Sequence, residues 1–236
     1  MMSATVFLIP TVLAEGVTTP LPSYILDAVK ACSAFFVENE RTARRYLKLV
    51  WKEMVIDDFE WHNMKDSSET TLAVFRQNIK EGKTIGIISE AGCPGVADPG
   101  QVLVNIAQQM QAVVKPLVGP NSILLALMAS GMNGQRFAFH GYLPIEQSER
   151  VKAIKALEAE SRQKECTQIF IETPYRNNQL LEAILKICHP QTKICVAADL
   201  TAPTETIHAK TVQQWKNALP QLHKKPAIFL LHATNQ

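Results

Sequence analysis

The residues best suited to chemistry lie just after an apolar run. Thr84 to Ile88 is β-branched and apolar, and Ser89-Glu90-Ala91-Gly92-Cys93-Pro94 follows it, then Ala97-Asp98-Pro99-Gly100. The run predicts a strand buried on both faces, as strands of parallel sheets are. Three glycines and two prolines between Ser89 and Gly100 end it and predict a shaped loop. Loops leaving the carboxyl ends of parallel strands line the ligand crevice of an open sheet, and glycine lets backbone approach a ligand closely. An ordinary turn is the plainer alternative. A second candidate is Ser122-Ile123, which opens an apolar helix whose free amides suit a carboxylate. There the alternative is Asn121 or Ser122 acting only as a cap. A third is the polar turn Glu38 to Thr42, where Glu40 and Arg41 serve either a site or a helix start.

These groups need elements to hold them. Thr5–Ile9 reads as a first strand opening at Pro10-Thr11 into a loop, and Tyr24–Ala31 as a helix with proline in its first turn. Ala34–Val37 is the next strand, and Arg41, Arg44, Arg45 and Lys48 then give one helix a basic face, either solvated or facing a nucleic acid. Trp51–Met64 carries no regular pattern. Ser67-Ser68 suits the cap of a helix running through Glu81, and Gln101–Met110 and Val113–Val118 supply a further helix and strand. The alternation predicts a doubly wound parallel α/β sheet over residues 1–118.

Residues 119–236 predict a second α/β lobe with a mixed sheet. Its apolar helix Ile123–Ser130 belongs in an interior. Phe137 and Phe139 share one face of a strand and are expected in the core, with His140 a satisfied strand histidine. An amphipathic helix over Ser148–Ser161, a strand ending at Glu172, a helix started by Pro174, a strand over Lys193–Ala198 and a closing strand over Pro226–Leu231 complete it.

Composition narrows the chemistry further. At 236 residues with 47% hydrophobic and 19% charged content, the chain suits one large globular domain or two lobes of about 115 residues. Cysteines at 32, 93, 166, 188 and 195 form no C-x-x-C pair, and the six histidines form no H-x-x-x-H pair. No metal is expected, and a reduced cytoplasmic chain is expected over a disulfide framework. The run Val6–Leu13 is interrupted by Pro10 and preceded by no lysine or arginine, a poor signal peptide, and no apolar run approaches the ~18 residues of a membrane span. Residues 1–118 carry 11 basic against 13 acidic side chains, and residues 119–236 carry 13 against 9. The basic second lobe fits weak affinity for phosphate backbone, and fits ordinary surface composition as well.

Ser89-Glu-Ala-Gly-Cys-Pro94 with Ala97-Asp-Pro-Gly100 resembles the S-D-A-G-T-P…S-D-P-G signature of the tetrapyrrole-methylase superfamily, the class III S-adenosylmethionine (SAM) methyltransferases. Further stretches resemble the small-subunit ribosomal RNA ribose 2′-O-methyltransferase I type: Gly119-Pro-Asn-Ser122, Arg136–Pro144, Gln168–Arg176 and Asp199–Ile207. Departures occur in the first loop, where only Pro10 and Thr11 match P-T-P-I-G-N-L. They occur also at Ala198-Asp199 and Ala202, which replace an Arg-Glu pair and a lysine, and at Lys225-Pro226, which replaces a Gly-Glu. The resemblance implies two tetrapyrrole-methylase-like α/β lobes with SAM between them. It carries SAM contacts onto Leu13, Glu90, Cys93, Ser122, Ile123, Glu172, Ala198 and Pro226, with Ser89, Ala91 and Gly92 shaping the same loop. For a ribose 2′-hydroxyl acceptor, whose proton is weakly acidic, Glu40 is the candidate base and Arg41 the candidate phosphate contact. The resemblance implies ribosomal RNA or the small ribosomal subunit as partner, and a homodimer. A tetrapyrrole or other small acceptor, and a non-catalytic RNA-binding or regulatory module keeping the fold, are the alternatives.

Overall fold

The computed structural model describes residues 4–65 and 68–234. The chain divides into two compact units, Met1–Asn121 and Ser122–Gln236.

Five parallel strands build the first sheet among the described residues: β1 (Thr5–Ile9), β2 (Ala34–Val37), β3 (Glu60–Asn63), β4 (Thr84–Ile88) and β5 (Val113–Pro116), in the order β3-β2-β4-β1-β5. The two-residue period sorts their side chains. Val6, Ala34, Phe36, Ile85 and Ile87 pack on one face with α3 (Glu69–Lys80) and α4 (Gly100–Gln109). Ile9, Phe35, Val37 and Ile88 pack on the other with α1 (Ile25–Ala31) and α2 (Glu40–Val50). Helices on both faces bury both rows of side chains, which is why these strands read as continuous apolar runs. The sheet is doubly wound, as the alternation implied. β3 lies inside the stretch that gave no sequence pattern. Its Glu-Trp-His-Asn is too polar to read as a strand, yet it pairs in parallel with β2 at the sheet edge, where burial is not required. At the head of α3, Ser68 accepts a hydrogen bond from Thr71 N at 3.3 Å; Ser67 lies outside the described residues.

The second unit is a mixed sheet, as expected: β6 (Phe137–Tyr142), β7 (Thr167–Ile171), β8 (Lys193–Ala198), β9 (Thr206–Thr211) and β10 (Ala227–His232) in the order β6-β7-β10-β8-β9. Among the described strands of this sheet, only β6 and β7 pair in parallel. α6 (Gln147–Lys164), α7 (Asn177–Ile187) and the short α8 (Val212–Trp215) cover the face bearing Phe170, Val196 and Phe229. α5 (Ser122–Ser130) packs against β8, β9 and β10.

Two readings change here, and a stretch without a reading gains a strand. Phe137 is exposed rather than core, because β6 is the sheet's edge strand and one neighbour is missing. α7 begins at Asn177, not Pro174, because Thr173–Arg176 closes as a turn through Arg176 N donating to Thr173 O at 2.9 Å. The stretch after Asp199 contains β9, which antiparallel pairing to β8 draws into the sheet.

Candidate active site

The strand order fixes where a ligand crevice can form in the first unit. From β1 the chain crosses through α1 to β2 on one side, and from β4 it crosses through α4 to β5 on the other, with β1 and β4 adjacent. The two helices therefore fall on opposite faces and leave a gap above the carboxyl ends of β1 and β4, the topological switch point of an open α/β sheet. The loops that meet there are Pro10–Gly16 and Ser89–Gly100.

Backbone joins these loops. Thr11 N donates to Gly92 O at 2.8 Å, and Ser89 Oγ donates back to the carbonyls of Ala91 and Gly92 at 3.4 Å. Gly92 adopts φ 74°, and a Cβ there would stand 3.2 Å from both Leu13 Cδ2 and the Pro120 carbonyl. The loop is thus confined on conformational and steric grounds together. Asp98 ends it, its carboxylate accepting from Gly95 N (2.9 Å) and Gly100 N (2.7 Å); burial nevertheless raises its pKa. Cys93 donates its thiol to the carbonyls of Gly119 and Pro120 at 3.5 Å, and burial raises its pKa as well. Gly119 packs against Pro10 so closely that a Cβ would fall 2.1 Å from the Pro10 ring. Glu38, at the end of β2, accepts from Glu90 N at 3.0 Å and joins a third strand end to the arrangement.

A cavity of about 190 Å³ opens beside these loops, walled by Leu13, Ser89, Glu90 and Ala91 and by Thr42, Arg45, Tyr46 and Leu49 of α2. Tyr46 donates its hydroxyl to the Pro10 carbonyl at 2.6 Å, and burial pushes the phenol well above its usual pKa. Arg45 pairs with Glu15 of the first loop at 3.0 Å. These contacts were not legible locally. Tyr46 has a local signal only in its spacing, since Ala43, Tyr46 and Leu47 form the buried stripe of α2.

Glu40 and Arg41 open α2 just after Asn39, whose side chain caps the helix by accepting from Arg41 N (3.0 Å) and Thr42 N (3.3 Å). Glu40 pairs with Arg44 at 2.9 Å, and neither Glu40 nor Arg41 lines the cavity. The basic face of α2 is largely committed to structure. Arg44 also lies 5.0 Å over the Trp61 ring, and Lys48 donates to the carbonyls of Lys52 (2.6 Å) and Met54 (2.8 Å) below the helix end.

In the second unit, Glu172, Ala198 and Pro226 meet at one end of the sheet, because β7, β10 and β8 are neighbours. Ala198 pairs with Ala227, and Pro226 O accepts from Asp199 N at 3.0 Å. The Glu172 side chain is fully buried; Oε1 accepts from Arg176 Nη2 (2.6 Å) and Nε (3.0 Å), whereas Oε2 has no protein partner. Ser122 and Ile123 open α5 as expected. Among the described residues, no group of three histidine, cysteine or acidic side chains is placed to hold a metal ion, and no helix is long and apolar enough to cross a membrane.

No family model matches the chain. Two solved structures share its fold at 17% identity: the methyltransferase CobJ, with a TM-score of 0.62 over 99% of this chain and 95% of that one, and uroporphyrin-III-C-methyltransferase from Thermus thermophilus, with 0.56 over 98% and 93%. The chain therefore shares the two-unit α/β fold of these two methyltransferases. By sequence it is similar to curated proteins named ribosomal RNA small subunit methyltransferase I. It is 37% identical to the one from Escherichia coli O157:H7 over 151 residues, 64% of this chain and 50% of that protein. It is 29% identical to those of Bacillus subtilis (89% of this chain, 70% of that one) and Vibrio cholerae (88% and 70%). The chain thus spans between half and about 70% of the length of these relatives.

Proposed function

We propose that the protein is a SAM-dependent methyltransferase acting on a ribose 2′-oxygen of small-subunit ribosomal RNA. The observation that carries this is the pair of hydrogen-bonded loops at the switch point, with Gly92 held at positive φ where a side chain would be strained and would crowd Leu13 and the Pro120 carbonyl. The relatives' shared name, ribosomal RNA small subunit methyltransferase I, supports ribosomal RNA as the acceptor. A backbone cradle of this kind fits SAM, which supplies an already activated methyl group. No metal or covalent enzyme intermediate is then needed, and the chain's task is to position the nucleophile and exclude water.

In the first unit Leu13, Ser89, Glu90, Ala91, Gly92 and Cys93 are the proposed SAM contacts, with Tyr46 and Gly119 holding the loops in place. In the second they are Ser122, Ile123, Glu172, Ala198 and Pro226; the unpartnered Glu172 Oε2 is free to accept a hydrogen bond from a ligand. Glu40, about 40% exposed at the head of α2, is proposed to take the ribose proton, and Arg41 to hold a phosphate. The enzyme is proposed to work as a cytoplasmic homodimer.

The test uses labelled SAM and small ribosomal subunits from a strain lacking the endogenous activity. Label on a ribose 2′-oxygen is expected, with Glu40→Gln lowering kcat by about 100-fold or more and leaving SAM and RNA affinities near wild type. Label on a porphyrinoid instead would reassign the acceptor, and a fully active Glu40→Gln would remove Glu40 as base. Absence of SAM binding at millimolar concentration would favour a non-catalytic module.

A further inference from the structure

We propose that Arg45 binds a phosphate of the RNA strand beside the cavity, and that Glu15 is its internal competitor. The inference rests on the RNA reading above. Arg45 is the α2 cation that both lines the cavity and is not tied to the helix's own structure. Arg44 is shared between Glu40 and the Trp61 ring, and Lys48 is spent on carbonyls below the helix. The Arg45–Glu15 pair closes at 3.0 Å with side chains 58% and 78% exposed. An ion pair standing in water contributes little, so a phosphate arriving from solvent displaces the carboxylate at small cost. A guanidinium also matches phosphate geometry with two parallel donors.

The cavity suits this exchange. At about 190 Å³ it is smaller than the pockets of about 300–1,000 Å³ that hold drug-sized ligands, so it suits one unit of a strand rather than a stretch of it. Thr42 and Leu49 of α2 give it a polar and an apolar side next to the loop residues proposed for SAM, and Arg45 and Glu15 both line it. A single-stranded or looped RNA can present one nucleoside together with its flanking phosphate. Glu15 sits in the first loop, at the position where the resembled signature has an asparagine, so the competing carboxylate belongs to this chain's own version of that loop.

Binding of a single-stranded RNA oligonucleotide is measured across a salt series for wild type, Glu15→Gln, Arg45→Gln and the double variant, with thermal melts as a folding control. Removing the competitor is expected to tighten binding about 2- to 5-fold at low salt, the range of an exposed pair. Arg45→Gln is expected to weaken binding and to reduce the log–log salt slope by about 0.7, one released counterion on a single strand. The double variant should match Arg45→Gln, because Glu15 acts only through Arg45. Tighter binding from Glu15→Gln in the Arg45→Gln background would reveal a general charge effect and overturn the proposal. So would four proteins that bind RNA alike. Wild type that binds no RNA would instead bring down the RNA reading, and this inference with it.

Discussion

Gly92 shows how much of the candidate site one residue can carry. Its positive φ excludes β-branched side chains, and its hydrogen on Cα leaves 3.2 Å between the place of a Cβ and two neighbours, Leu13 and the Pro120 carbonyl. Gly92→Val is therefore expected to abolish SAM binding measured by calorimetry, while far-UV circular dichroism stays native because the loop lies outside the packed core. Unchanged SAM affinity in a folded variant would reduce the loop to a turn. The cysteines separate by the same local logic. Burial pushes the Cys32, Cys188 and Cys195 thiols up to about 12, whereas Cys93 and Cys166 are only partly buried. Alkylation of the native protein at pH 8, read by mass spectrometry, should label Cys93 and Cys166 well before the other three. Early labelling of Cys195 would contradict the packing around β8.

At the scale of elements, β4 supports the site from beneath, and Gly86 is its tightest point. A Cβ there would lie 2.7 Å from the buried Phe35 ring and 2.8 Å from Ile9 Cδ1. Gly86→Ala is expected to destabilise the chain by about 1–3 kcal/mol in urea unfolding, the usual cost of overpacking a filled core. A variant as stable as wild type would show that the sheet yields there. In the second unit, α6 depends on Glu146. Its carboxylate accepts from the Ser148 hydroxyl, then from the backbone of Ser148 and Glu149, and these bonds hold its pKa down from 4.5 to about 2. A depressed carboxylate contributes stability above its unfolded pKa and loses it as pH falls toward the folded value. Melting temperature should therefore drop between about pH 5 and pH 2 more steeply in wild type than in Glu146→Gln. Parallel acid limbs would remove Glu146 from the cap's energetics.

For the whole molecule, the proposal of a homodimer has its own measurement: light scattering at micromolar concentration should give twice the 26.2 kDa of one chain. The mass of a single chain would refute it. Apolar side chains left exposed on α5 and β6, including Met128 at 78% and Phe137, are the kind of surface that a partner copy covers.

Local sequence determined a good deal. The apolar runs Thr5–Ile9, Ala34–Val37 and Thr84–Ile88 had to be buried on both faces, which required helices on both sides and hence a doubly wound sheet. The glycines and prolines after Ile88 had to end that strand in a shaped loop. Both follow from residue type and spacing along the chain. Strand order, by contrast, decided that β1 and β4 lie side by side, and with it that Tyr46 reaches the Pro10 carbonyl, Gly119 presses on Pro10 and Arg45 meets Glu15. Edge position decided that the polar Glu60–Asn63 is a strand and that Phe137 is exposed. Such contacts join residues far apart in the chain, and no local pattern of burial or periodicity encodes which distant segment arrives. Tertiary structure selected them, because the crossovers that put helices on both faces of the first sheet also bring the loops of β1 and β4 to the same gap.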